Sequence, residues 1–368
     1  MKKLDAGKAP ITAFERFHFA TLDWHWPIGI AIVYAAIVIV WSRYNNARLQ
    51  GDKSQASRHS SSRSTRPAGV FRKNQPKLPP KHVESRFTPF NCLVMLHNAF
   101  LSVFSLAVFV SIVPILIKSY STRTLFDSFC DIDQIDYYAG INYLSWIFYL
   151  SKYYELLDTV ILLLKGKPSS FLQTFHHSGS IISLWSMVTT RIPGMWIFAT
   201  LNSFIHTLMY VYYLLTCLGY RPTWKKTLTA MQIIQFFIGN GLGITYFILP
   251  GCFREDRVRE NVIAEWVGGH YRSIICTFVY NFAFVGSLIF LFTDFSRKTY
   301  GNGNGNGKSY IKEQVPVAHT TVDEPKNKRP KKARTIEKSP VRKAKIESKT
   351  DKKPLAIRRS PRKAKLQE

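Results

Sequence analysis

The adjacent histidines His176 and His177 stand at the start of an apolar run that extends to Val188. A histidine at that depth in an apolar segment is costly unless it has polar partners or a chemical role. Its imidazole can act as a nucleophile, as a general acid or base, or as a metal ligand. Because successive residues of a helix point about 100° apart, the two rings cannot face one ligand equally. A helix–helix hydrogen bond and a metal site are the plainer interpretations of the same pair.

A second group of ionisable residues recurs at every third position of a neighbouring apolar run. It comprises Lys152, Glu155 and Asp158, with Thr159 directly after them. This spacing predicts that they share one helical face. A structural ion pair is the alternative interpretation, but three ionisable groups on one face of an apolar helix are expensive for that purpose alone. We therefore favour a functional cavity.

Two further polar groups are less specific on their own. They are Asn202, His206, Met209, Tyr210 and Tyr213 in one apolar run, and Thr229, Gln232 and Gln235 in the next. The first group has the spacing of one helical face and also fits an ordinary packing stripe. The second also fits hydrogen bonds between helices, each worth about 0.6 kcal/mol. Four polar faces in four adjacent apolar runs predict a single reaction chamber inside a membrane.

The elements that must position these groups are apolar helices. The chain has 368 residues, of which 46% are hydrophobic, and charged residues are sparse from Phe90 to Phe295. Seven segments approach the ~20 residues that cross ~30 Å of hydrocarbon, and they predict an all-α polytopic membrane protein with seven transmembrane helices. The segments are Trp26–Trp41, Asn91–Ile117, Tyr143–Leu164, Phe171–Thr190, Met195–Leu218, Leu228–Leu249 and Ile274–Phe292.

The charges outside these segments predict the orientation of the membrane domain, residues 26–295. Lysine and arginine in short loops mark the cytosolic side. The basic segment 43–88 and the basic tail 296–368 are therefore expected in the cytosol, and their polar composition predicts that they are largely disordered. The N-terminal segment 1–25 is expected in the lumen. The formal net charge of +27 comes from these appendages, so it does not indicate a nucleic-acid partner.

Two Ser-Pro-basic pieces in the tail, at Ser339 and Ser360, would also suit a kinase or a DNA minor groove. We favour a solvated tail close to anionic lipid, where each basic residue contributes about 1 kcal/mol.

The predicted orientation also selects one pair among the five cysteines. Only Cys130 and Cys252 fall in lumenal loops, where an oxidising environment allows them to form a disulfide. On the opposite side, basic residues mark the cytosolic turns between the predicted spans. These residues are Lys165, Lys167, Arg221, Lys225 and Lys226.

Four boxes of this chain resemble those of the ELO-type very-long-chain fatty acid elongases and occur in the same order. They are residues 152–159, which resemble KxxExxDT; residues 173–177, which resemble the end of HxxHH; residues 202–213, which resemble NxxxHxxMYxYY; and residues 229–235, which resemble TxxQxxQ. Leu96, His97 and Asn98 also resemble an early motif of that family. The resemblance extends from about Trp26 to Phe295 and leaves the basic loop and the tail uncovered.

The resemblance implies an endoplasmic reticulum protein in which six of seven helices surround a central acyl chamber, with the C terminus in the cytosol. It implies condensation of a long-chain acyl-CoA with malonyl-CoA to give 3-oxoacyl-CoA, CoA and CO2. The enzyme would then be an acyltransferase, a very-long-chain 3-oxoacyl-CoA synthase, with these substrates and no cofactor. Its expected partners are the ketoacyl reductase, dehydratase and enoyl reductase of the elongation cycle, together with a second copy of the chain.

The same resemblance implies a role for each candidate residue. His176 is expected to carry the acyl group, because an acyl-histidine divides one hard step into two easier ones. His206 is expected to stabilise the enolate formed from malonyl-CoA, and His177 to orient the site. Supporting roles fall to Lys152, Glu155, Asp158, Gln173 and Asn202. Substrate contacts are expected from Thr159, Met209, Tyr210, Tyr213, Gln232 and Gln235 in the chamber, and from Lys165, Lys167, Arg221, Lys225 and Lys226, where CoA phosphates would arrive.

One position departs from the family pattern. Gln173 occupies a place where many members have histidine, and this QxxHH variant resembles the subgroup that acts on polyunsaturated acyl chains. An amide oxygen is a poor substitute for imidazole at a transition metal, so we expect no metal site.

Two other classes of membrane protein use comparable polar faces. A diiron desaturase needs three histidine boxes, whereas only His97, His176, His177 and His206 lie in or near the predicted spans. A non-enzymatic transporter or binder of a lipid or organic anion needs access from both sides of the membrane, and the predicted lumenal loops are short. Both classes are therefore disfavoured alternatives.

Overall fold

The helices of the chain account for all of its regular structure in the described residues. The computed structural model describes residues 12–64, 87–192, 194–252 and 270–301, and this part of the chain contains no strand. The helices are α1 (Ala13–Leu22), α2 (His25–Ser64), α3 (Pro89–Thr122), α4 (Leu125–Cys130), α5 (Asn142–Glu155), α6 (Leu157–Leu164), α7 (Phe171–Thr190), α8 (Met195–Cys217), α9 (Lys225–Ile248) and α10 (His270–Tyr300), with one π-helical turn at Tyr137–Ile141.

Four of these helices are long and apolar enough to cross a membrane. Their qualifying segments are His25–Gln55, Pro89–Thr122, Lys225–Tyr246 and Arg272–Tyr300. The predicted fold class, an all-α polytopic membrane protein, is confirmed, whereas the number of seven spans stays a prediction. The remaining predicted spans coincide with α5 and α6, α7, and α8. These helices carry the polar boxes, which lower the mean hydropathy of a segment, and α5 and α6 are each shorter than a span.

The prediction that segment 43–88 is largely disordered is wrong for its first part, because α2 continues without a break to Ser64. The residues from Arg43 to Ser64 contain no proline and include several good helix formers. An existing helix also extends without a new nucleation cost. Residues 65–86 lie outside the described part of the chain, as does the predicted disordered tail from residue 302 onward.

The continuation of α2 is fixed to the loop between α6 and α7. The Asn45 side-chain amide donates hydrogen bonds to the backbone oxygens of Leu163, at 3.0 Å, and Lys167, at 3.2 Å. One turn earlier, the Ser42 hydroxyl accepts a hydrogen bond of 3.0 Å from the Ser169 backbone N–H. We call this end of the bundle, where the 165–170 loop meets the start of α9, the mouth.

The predicted third span is broken into α5 and α6 at Leu156. The Leu156 N–H approaches the carbonyl oxygen of Tyr153 at 3.3 Å, and the Thr159 N–H approaches that of Leu156 at 3.1 Å. Both contacts join residues three apart, as in a 3₁₀ turn, so the helix is wound more tightly here. The backbone at Leu156 keeps helical dihedrals, with φ −59° and ψ −25°.

The helices pack in a bundle in which α7 and α8 are central. Helix α7 packs against α2, α5 and α10, and α8 packs against α3 and α9. The approach of α10 to α7 requires a residue without a side chain, because a Cβ atom on Gly179 would lie 2.1 Å from Cε2 of Phe284. The main buried cluster combines Ile112 of α3, Trp146 of α5 and Ile181 of α7.

The end opposite the mouth is closed by a disulfide between Cys130 and Cys252, the pair that the sequence predicts, with Cα atoms 4.9 Å apart. We call it the disulfide end. The buried Tyr246 hydroxyl donates to the backbone oxygens of Cys130, at 3.1 Å, and Cys252, at 3.4 Å. Nearby, Arg123 pairs with the buried carboxylates of Asp131 and Asp136. Covalent and ionic contacts therefore fix this end.

The N-terminal segment also packs at the disulfide end, through α1. The Trp146 indole N–H donates to the Thr21 hydroxyl at 2.9 Å, and the Tyr149 hydroxyl donates to the Thr21 backbone oxygen at 2.9 Å. The Trp185 indole N–H donates to the Leu22 backbone oxygen at 2.8 Å. Helix α1 is thereby joined to α5 and α7.

We expect Cys130 and Cys252 to resist thiol labelling in denatured, non-reduced protein and to react after reduction. The exposed cysteines Cys92 and Cys276 are the internal controls and should react in both conditions. The change Cys130→Ser should lower the melting temperature in detergent, because a cross-link over 122 residues contributes roughly 4–5 kcal/mol on the chain-entropy model. Labelling of both residues before reduction would contradict the bond.

Candidate active site

A cavity of ≈ 510 Å³ begins at the mouth and extends between the helices. The structure brings residues of all four boxes to its wall. The predicted site residues that line it are Asp158, Gln173, His176, His177, Asn202, His206, Met209, Tyr210, Tyr213, Lys225, Gln232 and Gln235. Phe236 of α9 and Phe292 and Phe295 of α10 complete part of the wall with apolar surface. The cavity therefore combines polar groups with space for an apolar ligand.

The paired histidines differ in their exposure to this cavity. His177 is 7% exposed, and its ring centroid lies 6.3 Å from that of Tyr34. His176 is partly exposed, and its centroid lies 6.4 Å from that of Phe292. Neither ring makes a hydrogen bond with another of the described residues. His176 therefore presents a more accessible and uncommitted imidazole to a ligand.

A buried ion pair lies behind the wall. Lys152 Nζ lies 2.7 Å from Glu155 Oε1 and donates to Asn202 Oδ1 at 3.2 Å. The two charged side chains are 3% and 2% exposed, and the ammonium lies 4.1 Å from the centroid of the Phe148 ring. Such burial is tolerated because each charge compensates the other. The pair connects α5 to Asn202 of α8, which does line the cavity.

The carboxylate of Glu155 also faces His206. His206 Nδ1 lies 3.6 Å from Glu155 Oε1, which is too long for a hydrogen bond, and within the described residues both His206 Nδ1 and Glu155 Oε2 have no hydrogen-bond partner. A carboxylate beside Nδ1 favours a proton on that nitrogen and a lone pair on Nε2. Catalytic hydrogen bonds are often long in ligand-free structures and shorten on binding.

Asp158 follows Lys152 and Glu155 in facing α8, as their spacing predicts. The three side chains approach Asn202, His206 and Tyr210 in turn. After the break at Leu156, its Oδ1 lies 2.8 Å from His97 Nε2 of α3. Its Oδ2 accepts a hydrogen bond of 2.7 Å from the Tyr210 hydroxyl. Asp158 therefore orients Tyr210 at the cavity wall while His97 holds the carboxylate from behind.

Thr159 lies behind the wall and not on it, contrary to the expected substrate contact. It is fully buried, and its hydroxyl lies 2.7 Å from the Tyr34 hydroxyl. The Gln173 side-chain amide donates to the same oxygen at 3.1 Å. The threonine of the first box therefore orients the glutamine that replaces the family histidine.

The two glutamines of the last box both reach the cavity. Gln232 Nε2 lies 3.5 Å from Met209 Sδ, which is a weak contact. Gln235 is 7% exposed, and its Oε1 has no hydrogen-bond partner in the described part of the chain. An unpaired buried amide oxygen is costly unless a ligand or water satisfies it. Gln235 is thus available to a bound molecule.

Of the five basic residues expected at the mouth, only Lys225 lines the cavity. Arg221 and Lys226 are exposed. Lys165 extends toward α3, where its Nζ lies 5.8 Å from the centroid of the Phe90 ring. Lys167 is half-buried, and this burial lowers the pKa of its ammonium group. The expected cluster of cations is therefore reduced to one lysine on the cavity wall.

The sequence reasoning also missed several residues of the site. His97 carried a signal, because a lone histidine in an apolar run needs a partner, although it was assigned only to a motif. Asn46 lines the cavity because α2 is helical beyond its apolar run, and no local pattern indicated this. Ser169 and Ser170 line the mouth at the start of α7, where Ser170 caps the helix by accepting from the Gln173 N–H at 3.1 Å.

The expectation that the site needs no metal remains a prediction. No group of three or more histidine, cysteine, aspartate or glutamate side chains has a metal-holding arrangement among the described residues. The arrangement supplies an accessible imidazole at His176, a second imidazole at His206 with a carboxylate beside it, and an oriented phenol at Tyr210. These are the groups of nucleophilic and acid–base chemistry.

The change Lys152→Met should destabilise the protein by about 3–5 kcal/mol, because it leaves the Glu155 carboxylate buried without a counter-charge. The double variant Lys152→Met/Glu155→Gln removes both charges and should recover most of the lost stability. Denaturation in detergent measures both effects. Equal destabilisation by the single and double variants would show that the pair is not coupled.

Comparison with known proteins places these boxes in one family. The model of the ELO (GNS1/SUR4) family matches residues 19–308. The chain is 38% identical over 157 residues to fatty acid elongase sre1 of Dictyostelium discoideum, which covers 42% of this chain and 58% of that protein. It is 35% identical over 209 residues to a putative fatty acid elongase of the same organism, covering 56% of this chain and 66% of the relative.

A third relative is putative fatty acid elongase 1 of Schizosaccharomyces pombe, 33% identical over 208 residues, which cover 56% of this chain and 60% of the relative. In each of these comparisons the matched region spans less than two thirds of the relative. The family model covers far more than half of this chain and includes all four boxes. The chain therefore belongs to the ELO (GNS1/SUR4) family.

Proposed function

We propose that this chain is the condensing enzyme of fatty acid elongation, a 3-oxoacyl-CoA synthase that joins a long-chain acyl-CoA to malonyl-CoA. The observation that carries the proposal is the cavity in which the uncommitted His176 ring shares one space with His206. The phenylalanines of α9 and α10 provide an apolar surface for the acyl chain. A nucleophile beside an apolar chamber is the combination that acyl transfer from a lipid thioester needs.

The proposed reaction has two half-reactions. In the first, a His176 ring nitrogen attacks the thioester carbonyl, the carbon–sulfur bond breaks, and the ring proton leaves with CoA as its thiol. In the second, malonyl-CoA loses CO2 and its carbanion attacks the acyl-histidine carbonyl. The carbon–nitrogen bond then breaks, and the ring recovers a proton from solvent. The products are 3-oxoacyl-CoA, CoA and CO2.

The other groups of the wall have supporting parts in this scheme. His206, with Glu155 beside its Nδ1, stabilises the malonyl-derived enolate by a hydrogen bond. Tyr210, whose hydroxyl donates its proton to Asp158, accepts a hydrogen bond from the substrate through its oxygen. His177 orients the ring of His176, and Lys225 at the mouth binds a CoA phosphate.

The proposed substrate and setting are supported by the family membership and the QxxHH box. We propose a preference for polyunsaturated acyl chains and catalysis without a metal or other cofactor. The enzyme would act in the endoplasmic reticulum membrane with a cytosolic C terminus. The reductase and dehydratase steps that follow would be supplied by partner enzymes, and a second copy of the chain is a further candidate partner.

Purified protein with a panel of long-chain acyl-CoAs and labelled malonyl-CoA should release CO2 and form products two carbons longer. The reaction should proceed with chelator present, because no step uses a metal. Loss of turnover on chelation, with recovery on adding iron or zinc, would contradict the metal-free chemistry. Binding of acyl-CoA without condensation across the panel would favour a lipid binder or transporter.

The change His176→Ala should abolish acyl transfer, because it removes the proposed nucleophile. The variant His25→Ala is a matched control, since that histidine is exposed and lies outside the cavity. With acyl-CoA alone, mass spectrometry should find the acyl adduct on His176. An adduct on another residue, with His176 unmodified, would refute the assignment.

A further inference from the structure

A second cavity lies beyond the first, toward the disulfide end. Its volume is ≈ 20 Å³, enough for about one water-sized group. It is lined mainly by apolar residues, among them Met187, Ile197 and Phe282. Helices α7, α8, α9 and α10 contribute to both cavities. The two spaces therefore follow one another along the same set of helices.

The wall between the two cavities is thin on α8 and α9. On α8, the nearest lining residues of the two cavities are Asn202 and Phe198. On α9 they are Phe236 and Asn240. Both pairs are four residues apart, which is about one helical turn, or roughly 6 Å along the axis. A single layer of side chains thus separates the spaces on this side.

Phe198 is the main side chain of that layer. It lines the second cavity and packs against the buried cluster that includes Phe236, Phe284 and Leu288. Its ring rests on Gly239 of α9, where a Cβ atom would lie 2.9 Å from Phe198 Cε1. Because Gly239 has no side chain, the Phe198 ring can pack directly against the backbone of α9.

We propose that Phe198, seated on Gly239, closes the end of the acyl chamber and sets the longest acyl chain that the protein accepts. This proposal rests on the proposed function, because it assigns the first cavity to an acyl chain. Asn202 and Phe236 line the first cavity. Phe198 lies one helical turn beyond Asn202 and packs with Phe236, so a chain that enters from the mouth would reach its ring past these residues. Each further methylene would have to displace this packed aromatic layer, which costs more than its burial returns.

The second cavity is the space that a longer chain would enter if the ring were absent. On α9 its lining continues from Asn240 to Gly243 and Tyr246. These positions lie four to ten residues beyond Phe236, or about 6 to 15 Å along the helix axis, and the volume of the removed Phe198 ring would add to the small space there. Removing the ring would join the two spaces without changing the histidines at the other end of the chamber.

The test measures the affinity for saturated acyl-CoAs of increasing chain length, and then the length of the products formed. For the unaltered protein, affinity should rise with length and then fall at the chain that reaches Phe198. In Phe198→Ala, this break should move to chains longer by at least one two-carbon unit. Phe198→Leu should move it in the same direction by less and serves if the alanine variant does not fold.

Two further variants sharpen the test. Phe204→Ala is the matched control, because Phe204 lies on the same helix, faces outward against Phe109 and lines neither cavity. It should leave the break where it is. Gly239→Ala should move the break to shorter chains, because the new methyl group pushes the Phe198 ring toward the chamber.

The proposal would be overturned if the chain length at which affinity falls were the same in Phe198→Ala and Phe198→Leu as in the unaltered protein. An equal displacement in Phe204→Ala would also overturn it. Binding is measured without turnover, so the result is separate from the proposed function. If the chain length at which affinity falls changes while no variant condenses malonyl-CoA, the role of Phe198 is supported and the condensing activity is refuted.

Discussion

The Lys152–Glu155 ion pair is the contact on which the geometry of the site depends. Two charges inside an apolar bundle are tolerated only when they remain together. Because Lys152 also donates a hydrogen bond to Asn202 of α8, the pair fixes α5 against that helix. The same carboxylate approaches His206. An electrostatic requirement of the fold therefore also determines the surroundings of an imidazole at the cavity wall. The ion pair and the contact with His206 share one atom, Glu155 Oε1.

Buried residues behind the cavity wall orient the side chains that line the cavity. Thr159 orients Gln173, Asp158 orients Tyr210, and His97 holds Asp158 from α3. Each of these contacts buries a polar group that would otherwise be unsatisfied, and each fixes the direction of a side chain that a ligand would meet. The cavity thus presents fixed groups near the mouth. His176, whose ring makes no hydrogen bond with the other described residues, is the accessible exception.

The sequence was sufficient to predict the long apolar helices, the disulfide partners and the convergence of the boxes, because helical spacing and charge placement encode them. It was not sufficient for the break at Leu156. Leu156 and Leu157 are both good helix formers, and only contacts with other helices decide that the Asp158 carboxylate lies between His97 and Tyr210. The continuation of α2 past Trp41 was also missed. Its composition is that of a disordered segment, but growth from an existing helix and the docking of Asn45 outweighed it. The position of Phe198 between the two cavities depends on contacts between separate helices, which no local sequence pattern indicates.

The disulfide has a topological consequence for the site. It closes a covalent ring from residue 130 to residue 252, and the four boxes, from Lys152 to Gln235, all lie inside that ring. A single proteolytic cleavage in the turn between α8 and α9 would leave the two fragments joined by the disulfide. One cut could therefore not separate the four boxes. Helices α2, α3 and α10 lie outside the ring, and they are held to it by packing and by hydrogen bonds such as that between His97 and Asp158. The covalent ring therefore contains all four boxes, while Asn46 of α2 and Phe292 of α10, which also line the cavity, lie outside it.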